Sequence, residues 1–181
     1  MALAVAPLAL LCLAAQPLPK AAPKTPAPKV AAPKRPPPAA PFDIQTPQGF
    51  IDLLTQAGAT TRTADRAPGS VFITVTSKAA NFSLQFEGCS PQGRACRAML
   101  LDAPLGPAAA AGPRLNAFNQ TSVMCRLYQD TAGVAHVVYS ALLFEGGRRD
   151  DAATHLLAWQ GCLSDGRDFL RDPAGYLANA A

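Results

Sequence analysis

The segment 16–42, QPLPKAAPKTPAPKVAAPKRPPPAAPF, sets the first limit on what this chain can fold into. Ten of its 27 residues are proline. Proline lacks the backbone N–H and fixes φ, so neither a helix interior nor a central strand can form there. The segment is predicted to be an extended, polyproline-II-type spacer. Folding is thereby confined to the residues after it. About 140 residues suffice for one domain with its own core and not for two.

The same segment explains the charge. The first 42 residues hold 11 of the 18 prolines, and Lys20, Lys24, Lys29, Lys34 and Arg35 with no acid. The remaining 139 residues carry 11 basic and 12 acidic side chains. The net +4 is therefore a property of the spacer. No basic face is left in the folded part, which argues against nucleic acid as a partner.

Residues 1–15 include the apolar run ALAVAPLALLCLAA. It has the length of a signal-peptide core and is shorter than the roughly 20 residues of a membrane-spanning helix. Ala14 and Ala15 supply a cleavage site before Gln16. The expectation is export to the periplasm or beyond, with no stable membrane insertion after cleavage.

Export changes the meaning of the cysteines. Cys12 lies in the leader, and Cys89, Cys96, Cys125 and Cys162 remain in the domain. Four cysteines in a small exported domain point to two disulfides. Three pairings are formally open. Local spacing favours Cys89–Cys96 across a hairpin and Cys125–Cys162 between a strand and the last helix. In the chain-entropy model these loops stabilise by about 2.5 and about 3.9 kcal/mol. The competing role is a redox-active pair, but no Cys-Xaa-Xaa-Cys is present to lower a thiol pKa. The cysteine spacing, and the distance in sequence to His136 and His155, do not suit zinc.

Local signals order the domain, taken as 43–175. Thr46-Pro47 starts a helix, Phe50, Leu53 and Leu54 supply its apolar stripe, and Gly58 ends it. Residues 59–64 can form an edge strand, 65–69 a turn, and 71–76 a strand. Phe82, Leu84 and Phe86 alternate with polar residues, marking a half-buried strand. Residues 97–101 return from the cysteine-framed turn. Residues 102–112 are rich in Ala, Pro and Gly, with a helix start at 108–111 interrupted by Gly112-Pro113. A short helical turn then carries Leu115 and Phe118. Strands at 122–129 and 134–144 follow, ended by Gly146-Gly147. The last helix is capped by Asp150 or Asp151, buries Leu156, Trp159 and Leu163, and stops at Pro173. Gly161 and Gly166 weaken it, so close packing or a kink is expected. Residues 176–181 are read as a loose tail. The predicted fold class is α+β: an antiparallel sheet of five or six strands with helices on one face, in the order α-β(3–4)-α-β-β-α.

Beyond the cysteines, no nucleophile, metal-ligand set or phosphate loop stands out, and no cofactor is expected. No Gly-Xaa-Ser-Xaa-Gly elbow exists. His136 and His155 are read as ordinary surface or satisfied residues. Asn116 and Asn119 suit a cap or a turn through side-chain-to-backbone hydrogen bonds. Arg126 and Tyr128 alternate onto one face of a strand and are candidates for a recognition surface.

Taken together, Asn116, Phe118 and Asn119, then Arg126, Tyr128 and Asp130, a Gly-Gly pair and the late Trp159 resemble the YbjN-like family. Its members show Asn-Xaa-Trp-Asn followed by a basic strand ending in Tyr. Here Phe118 stands at the Trp position. The resemblance spans about residues 46–172. It implies a type III secretion chaperone-like fold and a regulatory, non-enzymatic role, described for the family as sensory-transduction regulation. It also implies an unidentified protein partner, with homodimerisation as an option. The reading from another class is a periplasmic thiol-disulfide enzyme.

Overall fold

The computed structural model describes residues 41–107 and 113–179. The expected leader, nearly all of the spacer and the helix start at 108–111 lie outside these residues. Within them the order is α1 (Pro47–Gln56), β1 (Thr60–Ala67), β2 (Ser70–Thr76), β3 (Asn81–Glu87), β4 (Ala98–Pro107), α2 (Pro113–Thr121), β5 (Cys125–Gln129), β6 (Val134–Leu142), α3 (Arg149–Arg171) and α4 (Pro173–Asn179). The class is α+β. The strands form one six-stranded antiparallel sheet in the order β1-β2-β3-β4-β6-β5.

Period-two alternation decides which face is buried. Val71, Ile73 and Val75 on β2, Phe82, Leu84 and Phe86 on β3, and Met99, Leu101 and Ala103 on β4 point into the core. Leu127, Val137 and Tyr139 continue that face. The helices cover it through Phe50 and Leu54 on α1, Leu115 and Phe118 on α2, and Trp159, Leu163 and Phe169 on α3. Aromatic pairs tie the layers: Phe50–Phe86 at 5.5 Å, Phe82–Trp159 at 5.4 Å and Phe118–Phe169 at 5.2 Å between centroids. Among the described residues no helix covers the opposite face.

Several local expectations change. Thr46 occupies the N-cap position of α1, but its hydroxyl donates to Asp43 Oδ2 at 2.8 Å and does not cap the helix. β1 runs on to Ala67 through a bulge between Thr63 and Asp65, so the turn contracts to Pro68-Gly69, with Gly69 at φ 81°. β4 continues to Pro107, beyond the strand expected over 97–101. The register explains how prolines enter it. β3 pairs with β4 only as far as Asp102, so Pro104 and Pro107 face β6 on one side and leave the other side without a strand. A bulge between Pro104 and Gly106 absorbs the misfit. The strand expected at 122–129 begins only at Cys125, because Ser122 Oγ accepts from Cys125 N at 3.0 Å and holds a turn. At the start of α3, Arg148 occupies the N-cap position, and Asp151 reaches back to accept its N–H at 2.7 Å.

Residues 176–179 of the expected loose tail belong to α4. Tyr176 packs its ring on Phe118 and Phe169, at 5.6 and 5.7 Å, and the aromatic contact holds the segment down. Gly166 is a close approach of α3 to the sheet: a Cβ there would lie 2.8 Å from Leu105 Cδ1. Gly161 faces open space.

Two disulfides are present. Cys89–Cys96 closes the β3–β4 loop, and Cys125–Cys162 joins β5 to α3 with a Cα–Cα distance of 5.5 Å. Cys96, Cys125 and Cys162 are buried and Cys89 is half-buried. Such bridges fit an oxidising environment. Among the described residues no helix is long and apolar enough to cross a membrane.

Candidate functional site: the uncovered sheet face

The uncovered face can be read across the strands in rows. One row runs Arg126, Val138, Asp102, Ser83, Thr74, Arg62, and the next runs Ser140, Leu100, Gln85, Phe72, Asp65. Tyr128 and His136 pair on the far side of the first row, and Leu142 pairs with Ala98 beyond the second. The face is therefore mixed: hydroxyls and amides at its centre, a charged cluster at one end, aliphatic groups at the other.

The cluster is built on Asp102. Its Oδ2 accepts from the Tyr128 hydroxyl at 2.6 Å, and its Oδ1 lies 2.6 Å from His136 Nδ1. A carboxylate oxygen accepts, so Nδ1 donates. The His136 ring stacks on Tyr128 at 4.9 Å between centroids, and its Nε2 lies 3.5 Å from Asp130 Oδ2. Asp130 in turn holds the β5–β6 turn. Its Oδ1 accepts from Ala132 N at 2.9 Å and Val134 N at 2.8 Å, and Gly133 closes the turn at φ 81°. The bond from Val134 is the main cause holding the Asp130 carboxyl below its usual range. Partial desolvation, followed by the bond to Asp102, pushes the Tyr128 phenol up to about 12. The tyrosine is thus held as a neutral donor. The arrangement is a rigid, hydrogen-bonded polar patch and not an activated nucleophile.

At the other end, Leu142 is 63% exposed on the uncovered face, and Met124, just before β5, is 54% exposed. Val123 and Phe144 are also exposed near this corner, at 88% and 71%. Single exposed apolar residues are ordinary; several at one corner of an uncovered sheet mark an interaction surface.

The edge beside this surface is closed by Asn119. Its Oδ1 accepts from Leu127 N at 2.7 Å and its Nδ2 donates to Leu127 O at 3.0 Å. One side-chain amide takes the place of a neighbouring strand, which blunts the β5 edge against pairing with another chain. Asn116 is exposed on α2, Phe118 is fully buried and Trp159 is core. Arg126 is exposed and turns back, donating to Ser122 O at 2.8 Å and Cys125 O at 2.7 Å. The structure therefore divides the sequence-derived set. Tyr128 and Arg126 lie on the uncovered face, Asn119 at its edge, Phe118 and Trp159 beneath it. Asp102, in the Ala-, Pro- and Gly-rich stretch, and His136, which the sequence offers only as an ordinary residue, join the site. Strand parity places His136 opposite Ala135 and Val137, but its partnership with Asp102, 34 residues away, needs the β4–β6 register. His155 is half-buried and satisfied: its Nδ1 meets the Tyr139 hydroxyl at 2.7 Å across the helix–sheet interface.

Among the described residues no group of three or more His, Cys, Asp and Glu side chains is placed to hold a metal ion. The class these features define is a disulfide-bridged α+β domain with one uncovered, mixed-polarity sheet face. No family model, no curated protein and no solved structure matches the chain.

Proposed function

We propose that this is an exported, non-enzymatic domain of YbjN-like type that binds another protein in the bacterial periplasm through the uncovered sheet face. The observation that carries the reading is one sheet face, covered by no helix among the described residues, that presents exposed Met124 and Leu142 at one end and the ordered Asp102–Tyr128–His136 patch at the other. Exposed apolar groups and fixed polar partners on one face are the composition of a protein interface with a polar rim. The two bridges and the apolar amino-terminal run support export. A thiol-exchange role is disfavoured by burial, because three of the four sulfurs belong to buried residues where an attacking thiolate has no approach.

Two measurements test this. Intact mass and non-reducing peptide mapping of protein from the native envelope fraction should find a chain beginning near Gln16 with both bridges formed. An uncleaved chain with all four domain thiols free would remove the periplasmic reading. Photo-crosslinking from positions 124 and 142 should trap one protein adduct, and the adduct from position 124 should be lost in Leu142→Asp, while position 114 on α2 traps none. Equal adducts from all three positions would remove the sheet face as the binding surface.

A further inference from the structure

On the helix side, away from the proposed interface, α1, α3 and the β2–β3 turn enclose an apolar groove of about 640 Å³. This lies within the size range of small-molecule sites. Leu54, Phe82, Leu156, Trp159 and Leu163 line it, and Leu157, 68% exposed, stands beside them on α3. One feature gives the groove a chemical preference. Among the described residues its lining contains Lys78, exposed in the β2–β3 turn, and no acid, and the Arg167 guanidinium donates to the carbonyl of the lining residue Ala79 at 2.7 Å, so the charge at that end is positive.

We propose that the groove binds a single-chain free fatty acid. The hydrocarbon lies along the leucines, Phe82 and Trp159, and the carboxylate sits at the Lys78 end. The acyl chain matches the apolar walls, and the anion matches the positive charge at the rim. A cationic amphiphile of the same length would meet Lys78 with like charge.

Trp159 is the chain's only tryptophan, so its fluorescence reports on the groove directly. Purified, bridged protein is titrated with dodecanoate below its micelle concentration, with dodecyltrimethylammonium and dodecanol in parallel. The expected result is a saturable change with dodecanoate and binding of the cation at least about tenfold weaker. Lys78→Glu should weaken dodecanoate about five- to tenfold and leave dodecanol unchanged. Lys78 is exposed, so the variant keeps its fold, which far-UV circular dichroism checks. The proposal is overturned if dodecanoate gives no saturable change, if the cation binds equally well, or if Lys78→Glu shifts dodecanoate and dodecanol alike. Binding to phosphatidylglycerol vesicles without binding of free dodecanoate would also overturn it.

Discussion

Asn119→Ala removes two hydrogen bonds at once. Both run to the backbone of Leu127, at 2.7 and 3.0 Å, and both are partly buried under α2. Each net intramolecular bond contributes about 1 kcal/mol, and the stranded backbone groups keep little access to water, so the loss is about 2 kcal/mol. Asn116→Ala is the internal control. Asn116 lies three residues earlier on the same helix and is exposed, so its replacement should stay within about 0.5 kcal/mol of wild type. Urea unfolding under oxidising conditions reads both. With an m-value of about 2 kcal/mol/M, Asn119→Ala lowers the midpoint by about 1 M. Amide exchange at Leu127 should accelerate in the same variant, because its N–H loses its acceptor. The reasoning fails if the two variants have the same midpoint. It also fails if Asn119→Ala is destabilised while the Leu127 amide keeps its protection, since the loss would then originate elsewhere.

Three further outcomes follow from the packing. Replacing Cys125 and Cys162 by alanine should cost about 3.9 kcal/mol and replacing Cys89 and Cys96 about 2.5 kcal/mol, so urea midpoints should rank in that order; the reverse order would show that loop length does not govern these bridges. Gly161→Ala should raise the thermal midpoint more than Gly166→Ala. The first gains about 1 kcal/mol of helix propensity in open space, whereas the second sets a Cβ 2.8 Å from Leu105 Cδ1, the end of a half-buried side chain that must move aside, and so loses part of that gain. Burial against Tyr139 lowers the pKa of His155 from the ordinary 6.5. The folded state therefore binds fewer protons than the unfolded chain just below pH 6.5, so this contribution to stability is complete above pH 6.5 and is lost as pH falls towards the depressed value. His155→Gln should flatten the fall in urea midpoint between pH 7 and pH 5, and an unchanged slope would assign the acid sensitivity to other groups.

The helix α1 and the strand β3 were legible because their signals are local. Thr46-Pro47, the Phe50/Leu53/Leu54 stripe and Gly58 lie within one short segment, and Phe82, Leu84 and Phe86 alternate without interruption. Fold class followed from such segments in order. β4 beyond Asp102 was not legible. Pro104, Gly106 and Pro107 argue against a strand wherever both edges are paired, and only the register shows that one edge has no partner there. α4 was missed for a related reason: a seven-residue helix has little stability of its own and persists because Tyr176 reaches Phe118 and Phe169.

The sequence by itself determined the composition split, the α+β order and the cysteine set, because proline content, hydrophobic period and spacing act through neighbouring residues. Only the tertiary structure decided which face of the sheet stays uncovered and that Asp102, Tyr128 and His136 meet on it. It also decided that Asn119 closes the β5 edge and that Lys78 stands at the rim of an apolar groove. These are matters of register between strands distant in the chain and of where helices dock. A pairing shifted by one residue would turn each side chain to the other face, and nothing in the local sequence records which register the core will select.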